Sequence, residues 1–149
     1  RDRPGVGSAQ MVMQSLISNN LVNVIKSLTQ PVLGICVGMQ ILFNSSEEQN
    51  CKCLGLINDD IKKFNLPKDK AVPHMGWNKV IFESEQLLSN YYYFANSYYA
   101  PITKDTTGIC EYGIEFSATV QKDNFFGCQF HPEKSSNSGI KFIQNFLKY

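Results

Sequence analysis

The amino-acid sequence predicts one α/β domain over residues 1–149, a sheet of mostly apolar strands bracketed by helices. Three observations carry that prediction. Between Ala9 and Leu28 the residues Met13, Leu16, Ile17, Leu21, Val24, Ile25 and Leu28 recur at spacings of three and four, as one face of a helix requires. The middle of the chain clusters or alternates apolar residues at strand length, most plainly in Ile114, Phe116, Ala118 and Val120. The carboxyl end returns to helical spacing in Ile140, Ile143, Phe146 and Leu147.

The elements follow in order. Thr29-Gln30-Pro31 closes the first helix. The apolar run Pro31–Ile35 stops at Gly34-Ile35-Cys36-Val37-Gly38, and Met39, Ile41, Leu42 and Phe43 then predict a second helix, giving strand, sharp turn, helix. Asn44–Asn50 is polar and reads as a loop. From Leu54 to Val80 short apolar segments alternate with Pro67, Pro73 and Lys/Asp clusters, as small strands and loops do. Tyr91–Tyr99 is an aromatic strand, Gly113–Val120 an alternating one and Phe125–Phe130 a third. The cluster Ser135-Ser136-Asn137-Ser138 opens the closing helix.

Charge is nearly balanced, with 14 Lys+Arg against 13 Asp+Glu, so no general field draws in nucleic acid or an anionic membrane surface. No apolar run reaches the roughly 20 residues that cross a bilayer, and the amino end lacks a signal-peptide core, which reads as soluble and cytoplasmic. The cysteines Cys36, Cys51, Cys53, Cys110 and Cys128 are odd in number and scattered, which fits reduced thiols better than a disulfide framework. Cys51-Lys52-Cys53 has too short a spacing for a paired zinc site and no second Cys/His pair follows, so no metal or cofactor is expected. Cys110 and Cys128 read as packing residues. The chain opens on Arg1 rather than Met and runs from Arg1-Asp2-Arg3 straight into Pro4-Gly5-Val6-Gly7; the expectation is a domain whose amino-terminal strand region is missing.

Two segments carry chemistry. Gly34-Ile35-Cys36-Val37-Gly38 sets a thiol on a tight turn between a strand and a helix, the geometry of a nucleophile elbow with Cys in place of Ser. A helix amino terminus favours thiolate over thiol, and the N–H of Val37 is placed to bind an oxyanion. Against this stands the reading of Cys36 as a small buried hydrophobe, with the glycines merely turning the chain. Gln129-Phe130-His131-Pro132-Glu133-Lys134 is the second signal: an apolar strand delivers a His at its end and a carboxylate follows two residues later. His131 can take the thiol proton and return it to a leaving group while Glu133 holds the ring's tautomer. Alone, a His-Pro pair after a strand is more often a capped turn. The only other histidine is His74.

The sequences Pro31-Val32-Leu33-Gly34-Ile35-Cys36-Val37-Gly38-Met39-Gln40 and Gln129-Phe130-His131-Pro132-Glu133-Lys134-Ser135 closely resemble the class I, or triad, glutamine amidotransferases. Within that class, Pro73-His74-Met75-Gly76-Trp77-Asn78 and Tyr93-Phe94-Ala95-Asn96-Ser97-Tyr98-Tyr99 resemble the glutaminase subunits of imidazole glycerol phosphate synthase, and the likeness covers essentially the whole chain. The resemblance implies a three-layer, flavodoxin-like α/β fold in which Cys36 forms a glutamyl thioester, His131 is acid and base, and Glu133 orients His131. It implies an oxyanion site from the backbone near Val6, in Pro4-Gly5-Val6-Gly7, together with Val37. Gly38, Gln40, Glu48, Ser97 and Tyr98 fall where the family grips glutamine. Trp77, Asn78, Tyr93 and Lys134 fall where it meets a barrel-shaped cyclase subunit, with which it forms a heterodimer. That partner joins the channelled ammonia to a phosphoribosyl-formimino ribonucleotide, giving imidazole glycerol phosphate and an aminoimidazole carboxamide ribotide.

Two departures from the family pattern stand out: the strand region expected before Pro4, and Asn96, where this subfamily often carries a His. Three other readings compete: an amidotransferase serving another synthase, such as one for amino-sugars of surface polysaccharide; a catalytically silent regulatory subunit; and a free-standing Cys hydrolase. The intact Cys36, His131 and Glu133 weigh against the second, and Gln40 with Ser97-Tyr98 against the third.

Overall fold

The computed structural model describes residues 8–87 and 89–149. Ser8 caps the first helix, α1 (Ala9–Ser18), by accepting from the Met11 N–H. The expected helix to Leu28 is split in two: Asn20 adopts a left-handed φ of 55°, and α2 (Val22–Ser27) restarts beyond it. Asparagine tolerates that conformation, and the Leu21 N–H bonding back to the Leu16 carbonyl closes the first helix.

Strand β1 (Val32–Ile35) leads into Cys36 and the single turn α3 (Val37–Gln40). The predicted helix stops there rather than running to Phe43. The carbonyls of Ile41, Leu42 and Phe43 accept instead from Leu54, Leu56, Ile57 and Gly55, so the segment is drawn into β2 (Phe43–Ser46), where a polar loop was expected to start at Asn44. A 3₁₀ turn at Glu48–Asn50, β3 (Cys51–Lys52) and β4 (Ile57–Lys63) follow. Next come β5 (His74–Phe82), β6 (Asn90–Asn96), β7 (Tyr98–Tyr99), β8 (Thr106–Glu111), β9 (Glu115–Lys122) and β10 (Phe125–Cys128). A 3₁₀ turn at Pro132–Lys134 leads into α4 (Ser136–Phe146).

The larger sheet has the order β1-β10-β9-β8-β5-β6, and β3-β2-β4-β7 form the smaller one. In the larger sheet β1 and β10 run parallel and the other neighbours run antiparallel. Consecutive residues of β10 show the layering, because successive side chains in a strand point to opposite faces. Phe125 joins the core built from α1, α3, β2 and β4, whereas Phe126 meets Phe146 and Tyr149 at the end of α4. Helices therefore cover both faces of the sheet, the three-layer α/β arrangement expected.

The α4 face is an aromatic core: Phe130 stacks on Tyr92 with centroids 4.2 Å apart, and Phe142 packs edge-on to both Tyr92 and Phe130. Cys110 and Cys128 are buried in it as packing residues, and Cys51 and Cys53 are buried in the other core; none forms a disulfide.

Gly34 is what lets α3 sit against β1. A Cβ there would drive into the Gly38 carbonyl and lie 2.8 Å from the Met39 nitrogen, both backbone atoms that cannot swing aside. Gly34→Ala is expected to destabilise the fold by about 1–3 kcal/mol, the usual size of an overpacking penalty. A urea midpoint indistinguishable from the parent's would rule the close approach out.

Candidate active site

The parallel β1/β10 pair delivers both chemical segments to one edge of the sheet. Its register sets Ile35 opposite Cys128, and the N–H of Cys36 donates to the Cys128 carbonyl at 2.7 Å. Cys36 then turns with φ 55° and ψ −110°. A non-glycine residue held at positive φ stores strain that its surroundings must pin down, the feature expected of a nucleophile elbow.

On the neighbouring strand, the His131 N–H donates to the Tyr93 carbonyl at 2.9 Å, and Nδ1 of its ring lies 2.7 Å from Glu133 Oε1. Ser135 clamps this turn. Its buried hydroxyl accepts from the Tyr93 N–H at 2.9 Å and donates to the His131 carbonyl at 2.7 Å, so it does not cap α4 as its place in the sequence suggested. With Nδ1 bound to the carboxylate, Nε2 is left as the basic nitrogen.

The thiol corrects one expectation. Burial pushes the Cys36 thiol up from its ordinary value, with the charges of Glu133 and Glu48 adding to the rise, while the Val37 N–H and the Gln129 amide pull the other way. Burial wins because α3 is a single turn with little dipole behind it. Cys36 rests as a thiol and needs a base.

Gln40 is buried, and its Nε2 donates to the Tyr98 carbonyl at 3.1 Å and to Gln129 Oε1 at 2.9 Å. Ser97 accepts from the Phe64 N–H through its carbonyl. Gly38 has open space where a side chain would stand, and Glu48 spends Oε1 on the Ala9 N–H at 2.9 Å while its charge still reaches Cys36. Val6 lies outside the described residues.

Trp77, 53% exposed, lies edge-on to Tyr93 at 6.3 Å, and the Lys134 ammonium sits 5.9 Å above the Tyr93 ring, forming one surface patch. Asn78 is not part of it. One residue along β5 from Trp77, it faces the other way and donates to the Glu111 carbonyl at 2.8 Å, with Nδ2 3.3 Å from His74 Nε2.

Over residues 3–149 the chain matches the family glutamine amidotransferase class-I. It belongs to that family. The amidotransferase is 46% identical over 154 residues to the imidazole glycerol phosphate synthase subunit HisH of Shewanella sediminis (strain HAW-EB3), a match covering 97% of this chain and 70% of that protein. It is also 46% identical over 155 residues to the HisH subunit of Escherichia coli (strain K12), covering 97% of this chain and 77% of that one. A crystal structure of a glutamine amidotransferase shares the fold with a TM-score of 0.65 at 13% identity, covering 94% of this chain and 71% of that chain.

Among the described residues of this amidotransferase no group of His, Cys, Asp and Glu is arranged to hold a metal ion, and no helix is long and apolar enough to cross a membrane. Two buried residues at the site had no role assigned from sequence alone, Gln129 and Ser135. A glutamine inside the otherwise apolar run Phe125–Phe130 was the available signal for the first; nothing local marks the second.

His74 is 3% exposed and stacked on Tyr112 with centroids 4.0 Å apart. Burial holds its ring neutral down to about 4 when folded, against its ordinary 6.5, although the Asn96 amide favours the proton. The unfolded chain therefore takes up that proton first on acidification. The His74 contribution to stability is complete above about pH 6.5 and drains away toward pH 4, by about 3 kcal/mol at most. Urea midpoints measured at about pH 7 and about pH 4.5 should show a smaller acid loss in His74→Phe than in the parent; equal losses would remove His74 from the account.

Proposed function

We propose that this chain is the glutaminase subunit of an imidazole glycerol phosphate synthase, cutting ammonia from glutamine and passing it to a cyclase subunit. The observation that carries the reading is the pairing of a left-handed Cys36 elbow with the His131–Glu133 contact of 2.7 Å at the ends of adjacent parallel strands. The choice of synthase rests on the HisH relatives, which match almost the full chain.

The chemistry follows from those positions. His131 Nε2 takes the Cys36 proton as the sulfur attacks the side-chain carbonyl carbon of glutamine, and Glu133 stabilises the imidazolium through Nδ1. The oxyanion is held by the Val37 N–H and by backbone near Val6. On collapse the C–N bond breaks, His131 returns the proton to the leaving nitrogen, and ammonia departs from a glutamyl thioester. Water, deprotonated by the same imidazole, then adds to the thioester, and glutamate leaves as Cys36 recovers its proton. Gly38, Gln40, Glu48, Ser97 and Tyr98 surround the glutamine in this scheme.

Glutamate release from glutamine, with the cyclase subunit present, tests the reading. Cys36→Ala is expected to abolish it, and Glu133→Gln to lower it by about 10²-fold or more through loss of the ring's orienting partner. Release that survives Cys36→Ala would sink the thioester route.

In this reading the cyclase docks on the Trp77, Tyr93 and Lys134 patch; an exposed tryptophan beside a tyrosine that carries a cation over its ring has the make-up of an interface anchor, which supports it. Trp77→Ala is expected to weaken the complex about tenfold or more with the fold intact. Asn78→Ala should behave in the opposite way, lowering the melting temperature while leaving affinity nearly unchanged, because its amide is spent inside the subunit. Titration calorimetry and thermal unfolding of the two variants separate these outcomes.

A further inference from the structure

Gln129 is fully buried, at 0% exposure, and its side-chain Nε2 lies 3.6 Å from Cys36 Sγ. A primary amide in such a place has two possible orientations, and its neighbours decide between them. The Tyr98 backbone carbonyl can only accept, so the Gln40 side-chain atom 3.1 Å from it is the nitrogen. That same nitrogen is 2.9 Å from Gln129, which must present its oxygen there. The Gln129 NH₂ group is then forced toward the sulfur. Asn96 donates to the same Tyr98 carbonyl at 3.0 Å, so the acceptor that fixes the chain is itself held from two sides. The backbone of Gln129 is anchored as well, its N–H donating to the Ala118 carbonyl at 2.8 Å.

We propose that Gln129 is a positioning residue for the nucleophile: its amide, oriented by Gln40 and the Tyr98 carbonyl, aims the Cys36 sulfur and stabilises it once the proton has left. The inference rests on Cys36 being the nucleophile, as argued above. An N–H donor favours a sulfur anion over a thiol. Here it offsets part of the penalty that burial and the Glu133 and Glu48 charges impose on the same atom. Gln40 consequently acts on the sulfur at second hand, beside any contact it makes with glutamine.

The rate of Cys36 alkylation by iodoacetamide, followed against pH by peptide mass mapping of the full chain, tests the proposal. Gln129→Met keeps the length and removes the donor; Gln129→Glu keeps the shape and acceptor but adds charge. Both profiles should move to higher pH, by about one unit, with about tenfold slower labelling near neutrality. Movement in Gln129→Glu alone would reduce the effect to charge and overturn the hydrogen bond, as would two unmoved profiles. The same digests report folding, since buried Cys110 and Cys128 take label only in an opened chain. If Gln129→Met opens, the Gln129 side-chain ¹⁵N–¹H resonances of the unaltered protein decide: they should shift with the Cys36 midpoint, and resonances that stay still overturn the proposal. A Cys36 in the unaltered protein that takes no label at any pH instead fails as nucleophile, and both readings fall together.

Discussion

The parallel pairing of β1 with β10 is the constraint on which the site depends. Cys36 and Gln129 are 93 positions apart in sequence, yet the register that sets Ile35 opposite Cys128 leaves both at the carboxyl ends of neighbouring strands. Parallel strands end at the same edge, and that edge is where open α/β sheets place their ligands. The left-handed turn at Cys36 is affordable only because the Cys36 N–H is already tied to Cys128 and because Gly34 lets the next turn close down on the strand. Moving the register by one residue would send Phe125 and Phe126 to each other's core and Cys36 out of place.

Burial favours the neutral form at both Cys36 and His74, raising the one group and lowering the other. Around Cys36 it raises the thiol, and the local donors recover only part of the loss, so the proposed reaction relies on the imidazole rather than on a standing thiolate. At His74 it removes the charge altogether. The ring's Nδ1 and the Asn96 Oδ1 are the two buried side-chain atoms that make no hydrogen bond of good geometry among the described residues, and they belong to residues directly opposed across β5 and β6. Asn78 approaches Nε2, so the proton of the neutral ring belongs on Nδ1, facing that oxygen. Asparagine at position 96 thus offers a neutral histidine neighbour an acceptor oxygen.

Much of this was legible in the sequence because its signals are local. The amphipathic stretch of α4, the alternation in β9 and the elbow glycines each express a single element, and the elements formed where those patterns lie. What was not legible depends on partners distant in sequence. The helix after Cys36 ends at Gln40 because Leu54 to Ile57 claim the carbonyls that would have continued it. Strand β8 reads Thr-Thr-Gly-Ile-Cys-Glu, with no clear apolar alternation, and it is held by pairing with β5 and β9 rather than by its own pattern. The thiol's rise was hidden for the same reason: sequence shows a helix following Cys36, but not that it is one turn long. Trp77 and Asn78 read as one surface pair, although the alternation of a strand must separate them.

Tyr93 joins the proposed docking patch to the proposed base. Its ring lies between Trp77 and Lys134 on the outside, while its carbonyl and N–H hold the His131 N–H and the Ser135 hydroxyl. A partner resting on that ring therefore presses on the strand position that carries the His131 turn. Two links make the path, one a backbone hydrogen bond and the other through the Ser135 hydroxyl, and both bypass the Gln129–Gln40 amides that hold the sulfur. Nucleophile and base thus hang on separate supports, one interior and fixed by the Tyr98 carbonyl, the other reaching the surface. A displacement of Tyr93 would change the His131 position relative to a stationary Cys36, which is the relation on which proton transfer depends.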